Sequence, residues 1–386
     1  METEKLYYQD AFMTEFDAQV LSCEAKNGAY LVTLDRTAFY PEGGGQPADF
    51  GILGGASVTD VHERGGVIIH TCDKPLNVGE RVAGQVDWKR RFDHMQQHSG
   101  EHIISGVLCE MFDCDNVGFH LGADAVTIDY NAAIPWEAAL DAEARANAVI
   151  WEDKPVEITW PSPDELSHMA YRSKKELSGD MRIVTFPDAD RCACCGTHVR
   201  RAGQVGLVKV ISCQKFRDGV RIEILCGERA VNYLSAVFEL DKAVGQRLSV
   251  KPTETLSAVE RLEAEVSGAK ERIAALETEL FDAIAREYAG RGDVLLFRAP
   301  SRPDGVQRLA DTVARQCGGL AAAFAGQDGD GYVYALVRAD AENINVKQMN
   351  AALRGRGGGR NGFAQGTVQA SRDEIEAFFR EHPNLT

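Results

Sequence analysis

No stretch of the chain holds the roughly 18 consecutive apolar residues that a bilayer-spanning helix needs. The opening METEKLYYQD has neither the basic head nor the apolar core of a secretory signal. Ten cysteines without a sign of export point to a reducing compartment, where thiols stay free or bind metal. The expectation is therefore a cytoplasmic protein with no membrane partner. Positive charge is also short, with 42 Lys and Arg against 58 Asp and Glu, a net charge of −16. That argues against a generally basic nucleic-acid binder but leaves room for RNA held by local patches. The candidate patches are Lys89–Arg90–Arg91, Arg172 with Lys174 and Lys175, Arg200–Arg201, and the arginines from Arg354 to Arg360. For any one of them the plainer reading is a solvated charged face. Finally, no Gly-Lys-Ser/Thr follows the glycine run at 43 to 45, which argues against a nucleotide-binding P-loop.

What is present is ordinary globular material: 44% apolar and 26% charged residues over 386 positions, too long for one ordinary core. The pattern predicts an α+β multidomain chain in four segments. Residues 1–88 alternate short β-prone runs with turns (AQVLSCEA, YLVTLD, SVTDVHE, GVIIHTC, RVAGQVDW), which suggests a small β-barrel or sandwich. Residues 89–227 change to helical periodicity and then mix helix with strand, ending in a hairpin of LVKVIS and VRIEILCG. Residues 228–290 read as two helices broken near Pro252. In the second, Leu256, Val259, Leu262, Val266, Ala269, Ile273, Leu276, Leu280 and Ile284 form a coiled-coil-like seam. They predict a helical hairpin or a pairing with another subunit. Residues 291–386 read as a small α/β domain with strands VLLFRA, LAAAFAG, YVYALVR and FAQGTVQA.

The chemistry concentrates at HSGEH, where His98 and His102 stand four apart in a predicted helix and so leave one face of it. His94, one turn earlier on nearly the same face, reads as a helix-surface histidine, with a third metal ligand as the alternative. Cys194 and His198 repeat the spacing far along the chain, in RCACCGTHVR. Two pairs mixing thiolate and imidazole suit one tetrahedral zinc per chain, although Cys192 and Cys195 also offer thiols. Four protein ligands usually make a structural site, whereas an open zinc could polarise an ester carbonyl. Glu101, between the two histidines, is a candidate proton acceptor. A second motif, LDRTAFYPEGGGQPADFG, sets Thr37, Tyr40, Glu42, Gln46 and Asp49 around Gly43, Gly44 and Gly45. That is richer than a hairpin turn requires. A third, RGRGGGRNG at 354–362, reads as a loop in which Arg354, Arg356 and Arg360 suit phosphate or RNA contacts, or as a solvated connection.

HSGEH, CCGTH and TAFYPEGGGQPADFG, in this order and spacing, resemble the alanyl-tRNA editing hydrolases (AlaX family, long form), relatives of the editing and C-terminal domains of alanyl-tRNA synthetase. The tail with RGRGGGRNGFAQG resembles the DHH-associated domain, so the resemblance covers nearly the whole chain. It implies a trans-editing hydrolase that deacylates tRNA(Ala) mischarged mainly with serine, with glycine a second candidate. It also implies zinc on His98, His102, Cys194 and His198, a pocket bordered by Gly43, Gly44, Gly45 and Gln46, and Thr37 placed to hydrogen-bond the serine hydroxyl. His120 takes a pocket-lining position, and the last domain, 291–386, holds tRNA and is a candidate dimerisation region. Where the family more often has glycine, this chain has Cys195. Two other readings compete: a zinc-stabilised tRNA-binding protein without turnover, and a metal-dependent hydrolase of a small ester or amide without RNA.

Overall fold

The computed structural model describes residues 2–173, 181–339 and 344–382. Lys174 and Lys175 of the second basic patch lie outside the described residues. Two compact units divide the chain, Met1–Ala243 and Val244–Thr386.

In the first unit six strands, β1 (Glu15–Lys26), β2 (Ala29–Leu34), β3 (Gly51–Leu53), β4 (Ala56–Arg64), β5 (Val67–Cys72) and β6 (Arg81–Val86), close into a barrel in the order β1-β2-β5-β4-β3-β6. Period-two alternation explains its core: in β1, Phe16, Ala18 and Val20 turn inward while Glu15, Asp17 and Gln19 face solvent. A single helical turn, Leu6–Gln9, precedes the barrel.

Helix α1 (Trp88–Phe112) follows directly. Asp87 caps it by accepting from the Arg90 N–H at 3.2 Å, and Asp113 ends it in the left-handed conformation. From His94 to Leu108 every residue is buried, polar ones included. The helix is thus the spine of the unit rather than a surface helix with one apolar stripe. Around it lie β7 (Asn116–Leu121), β8 (Val126–Tyr130), α2 (Trp136–Glu152), β9 (Ile183–Phe186), β10 (Asp190–Ala193), and the hairpin β11 (Val208–Phe216) with β12 (Gly219–Cys226). Met95, Ile103, Ile104 and Leu108 of α1 pack with Ile128, Ala142, Phe186 and Ile222 in one core. The boundary between the units falls within helix α3 (Gly227–Leu248).

In the second unit, the seam of α4 (Thr255–Glu287) is exposed at Leu256, Val259, Leu262, Val266, Ile273, Leu276 and Leu280; Phe281, Ile284 and Ala285 enter a core. Then come β13 (Gly292–Arg298), α5 (Pro303–Cys317), β14 (Gly318–Gln327), β15 (Gly331–Arg338), α6 (Lys347–Ala352), β16 (Arg356–Arg360), β17 (Phe363–Val368) and α7 (Arg372–Glu381). The strands form one sheet in the order β13-β14-β15-β17-β16. Alternation along β14 sends Ala321, Ala323 and Ala325 to the core shared with α5. Leu320, Ala322 and Phe324 go to a second core, which includes Met349 of α6 and Ile375 of α7. The expected arginine-glycine loop is instead largely the edge strand β16, paired with β17 from Arg356↔Thr367 to Arg360↔Phe363. Glycine there permits contact that side chains would block: a Cβ on Gly359 would lie 1.9 Å from the Phe363 carbonyl oxygen.

The glycine-rich motif is fixed to α1 by a fully buried ion pair. Arg91 Nε donates to both Asp49 oxygens at 3.0 and 2.9 Å, and its other nitrogens donate to the carbonyls of Ala11 (2.8 Å) and Ala38 (2.6 Å). Asp49 also accepts from the Tyr40 N–H at 2.6 Å. Removing one partner strands a buried charge. Asp49→Ala is expected to destabilise the protein by about 3–5 kcal/mol in chemical denaturation; a loss under about 1 kcal/mol would show that the pair does not hold barrel and helix together.

Candidate metal centre

Helix α1 presents His98 and His102 one above the other, and the loop after β10 brings Cys194 and His198 against them. One ligand atom from each of the four residues lies within 4.8 Å of every other. Cys194 Sγ is 3.5 Å from His98 Nε2 and 3.3 Å from His198 Nε2. A tetrahedral zinc with ordinary bond lengths separates sulfur and nitrogen ligands by about 3.5 Å. The donor set fits a zinc ion as it stands.

Each imidazole is braced from behind. His98 Nδ1 donates to Gln46 Oε1 at 2.8 Å, His102 Nδ1 to Asp190 Oδ2 at 2.8 Å, and His198 Nδ1 to Ser99 Oγ at 3.2 Å. With Nδ1 carrying the proton, Nε2 of each ring is left as the ligand atom. Asp190 is itself gripped by Arg172, at 2.7 and 2.8 Å. Burial works against the charged forms of these groups, yet the network overrides it in places. Burial raises the Cys194 thiol, but His98, His198 and His102 together pull it well below its usual value. Burial lowers His102, but Cys194 and Asp190 raise it to about 9; burial drives His198 down to about 3. Cys194 is thus the thiolate of the cluster. Burial pushes Cys192 up, and Cys195 is exposed. Cys192 also stands near His102 and Asp190, but there the imidazole offers its proton-bearing Nδ1 and both Asp190 oxygens are engaged by Arg172, so that grouping is a poor ligand set.

The glycine run forms the tight turn that its composition allows, with Gly43 and Gln46 exchanging backbone hydrogen bonds at 3.1 and 3.0 Å. Gly45, at φ +88°, lies so close to Phe119 that a Cβ would stand 2.6 Å from its ring. Gln46 is fully buried beside the cluster: Oε1 accepts from His98 and from the Thr197 N–H (3.2 Å), and Nε2 donates to Thr197 Oγ1 (2.9 Å). Its neighbour Gly196 has no room for a side chain, since a Cβ would come within 2.2 Å of His98. Gln46, at the end of the glycine run, therefore also braces His98.

Other expected residues lie differently. Strand β7 stacks Phe119 on His98, ring centroids 5.0 Å apart, and leaves His120 exposed. Phe119 is thus the neighbour of the cluster, and the alternation of a strand turns His120 to the other face. Glu101 is buried, with Oε1 accepting from Ser105 at 2.8 Å and Asn116 at 2.5 Å, and Oε2 4.0 Å from His102 Nε2. Thr37 is fully buried; its hydroxyl donates to His70 Nε2 at 2.9 Å and accepts from the Phe39 N–H at 3.1 Å. Burial pulls His70 down to about 4 and its Nδ1 donates to the Val32 carbonyl, so Nε2 is an acceptor. His94 is buried rather than a surface residue, and burial lowers it to about 3. The basic patches are largely paired internally: Arg200 with Asp10, Arg201 with Asp153, Lys89 with Glu228. In the second unit Arg354 pairs with Glu374 at 2.8 Å, while Arg356 and Arg360 are exposed on β16.

Sequence reading missed Gln46, Asp190 and Ser99 as supports, because hydrogen bonds between remote segments leave no spacing signal. Gln46→Ala is expected to weaken metal retention about 10- to 100-fold in chelator competition, with Gln46→Glu, which keeps an acceptor for His98, retaining most of it. Equal retention by Gln46→Ala and the parent would remove Gln46 from the support of the site.

Three family models match the chain: tRNA synthetases class II (A) over residues 2–90, the threonyl and alanyl tRNA synthetase second additional domain over 181–223, and the DHHA1 domain over 295–381. The alanyl-tRNA editing protein AlaX-L of Pyrococcus horikoshii is 29% identical, covering 96% of this chain and 96% of that protein. The alanyl-tRNA editing protein Aarsd1 of Danio rerio is 28% identical, over 97% and 96%. The alanine–tRNA ligase of Pyrococcus abyssi is 31% identical over 98% of this chain, which spans only 44% of the ligase. The chain is thus similar from end to end to free-standing alanyl-tRNA editing proteins of the AlaX type, with the matched domains in this order.

Proposed function

We propose that this chain is a zinc-dependent aminoacyl-tRNA deacylase that hydrolyses the ester of tRNA(Ala) mischarged with serine, with the glycyl ester as a second substrate. The observation that carries the reading is the convergence of His98, His102, Cys194 and His198, fully assembled beside the glycine-rich turn. When bound, zinc supplies positive charge that favours an ester oxygen or the sugar hydroxyls of the RNA end. The chain's own residues do the rest. Gln46, Asp190 and Ser99 hold the three imidazoles in one tautomer, and Phe119 covers His98 and excludes water from that side.

Selectivity for serine is assigned to Thr37. Its proton is engaged by His70 and one lone pair by the Phe39 N–H, which leaves a second lone pair to accept from a serine hydroxyl. Alanine offers no such donor, and a buried polar group left unpaired discriminates more strongly than shape does. In the second unit Arg356 and Arg360, on the exposed edge strand, are proposed to contact tRNA phosphates.

The test is single-turnover deacylation of Ser-, Gly- and Ala-tRNA(Ala). The parent is expected to release serine and spare alanine, and Cys194→Ala to lose serine release. Thr37→Val should lower the serine rate roughly 10-fold or more while leaving the glycyl rate within about 2-fold. Release of no amino acid by the parent would favour a zinc-stabilised tRNA-binding protein; an equal fall on all esters would make Thr37 a packing residue.

A further inference from the structure

Beside the metal centre, on the side of Cys195, lies a second group of polar atoms that the proposed hydrolysis does not use. The turn Leu6–Gln9 brings Tyr7 and Tyr8 there, with ring centroids 4.6 Å apart, and Tyr40 stands 5.4 Å from Tyr7. Tyr7 is buried to 2% exposure, yet its hydroxyl has no hydrogen-bond partner among the described residues. Arg182, 3% exposed, braces the ligand loop by donating from Nη1 to the carbonyls of Cys194 (2.8 Å) and Gly196 (2.9 Å). Its Nε–H, like the Tyr7 hydroxyl, has no partner among the described residues. Its guanidinium lies 5.5 Å from the centre of the Tyr8 ring. The rim is open, since Cys195 is exposed and Tyr8 half-buried, with the half-exposed Trp160 edge-on to Tyr8 at 5.6 Å.

Two buried donors left unmade are costly, since each forfeits its hydration without return. A guanidinium without a counter-charge is costlier still. No carboxylate among the described residues pairs with Arg182, and the nearby Glu63 is engaged by Lys5 at 2.7 Å. With zinc on one thiolate and three neutral imidazoles the adjoining centre would also carry net positive charge, so the surroundings of Tyr7 and Arg182 favour an anion. We propose that Tyr7 and Arg182 form a subsite for a phosphate oxygen of the 3′-terminal nucleotide of the RNA. This deepens the deacylase reading and rests on it for the identity of the RNA. That nucleotide carries its phosphate on the same ribose that bears the aminoacyl ester. A donor pair beside a metal ligand therefore places the ester over the centre and holds the RNA end by charge-assisted hydrogen bonds.

Binding of uncharged tRNA(Ala) tests this without turnover, so it can be read even if no ester is hydrolysed. Tyr7→Phe deletes the hydroxyl and keeps the ring; it should raise Kd about 3- to 10-fold, with unchanged metal content and melting temperature. The same variant should bind tRNA lacking its 3′-terminal nucleotide as the parent does, and inorganic phosphate should compete only with the intact RNA. Arg182→Lys, which keeps the charge and loses the Nε donor, should show the same dependence on the terminal nucleotide. A Kd for intact tRNA unmoved by Tyr7→Phe overturns the proposal, as does an equal loss on both RNAs. Phosphate competition independent of the terminal nucleotide would overturn it in favour of a site for free anion.

Discussion

Three imidazoles brought to one half-buried thiolate cannot stay together by packing alone. At Cys194 burial opposes the charged sulfur, and only the facing rings of His98, His102 and His198 make the thiolate the favoured form. The arrangement holds because every ring is fixed on its far side, by an amide, a carboxylate and a hydroxyl. Those partners come from the glycine-rich turn, from β10 and from α1 itself. The metal centre is thus where the first unit's separate segments are tied to one another.

The same requirement explains features that look excessive when taken singly. Helix α1 is buried on all sides because it serves the barrel through Arg91 and the ligand loop through His98 and Ser99. The motif between Thr37 and Asp49 is richer than a turn because its ends have separate duties. Thr37 is set into the barrel against His70, Gln46 reaches the ligands, and Asp49 neutralises Arg91. Glycine is demanded at 45 and 196 by direct approach of Phe119 and His98. In the second unit the sheet needs only alternation to fill two cores, and its glycine-rich strand stays at the edge.

The grouping of His98, His102, Cys194 and His198 was legible in the sequence because helical spacing and the Cys-x-x-x-His repeat are local signals. Strands of the barrel and of the second unit were legible for the same reason, from period-two alternation and turns. What escaped was set by tertiary contact. His120 and Phe119 are adjacent in sequence, and only the facing of β7 decides which meets His98. Gln46 belongs to a motif that suggested substrate, and its role follows from a neighbour far along the chain. The arginine-glycine run lacked alternating side chains, so its pairing with β17 left no pattern to read.

X-ray absorption at the metal edge of the purified protein reads the proposed coordination sphere most directly. The proposed function predicts one zinc per chain, bound by one sulfur at about 2.3 Å and three nitrogens at about 2.0–2.1 Å. A protein that folds and hydrolyses the seryl ester without metal, or a sphere with two or more sulfurs, would contradict it.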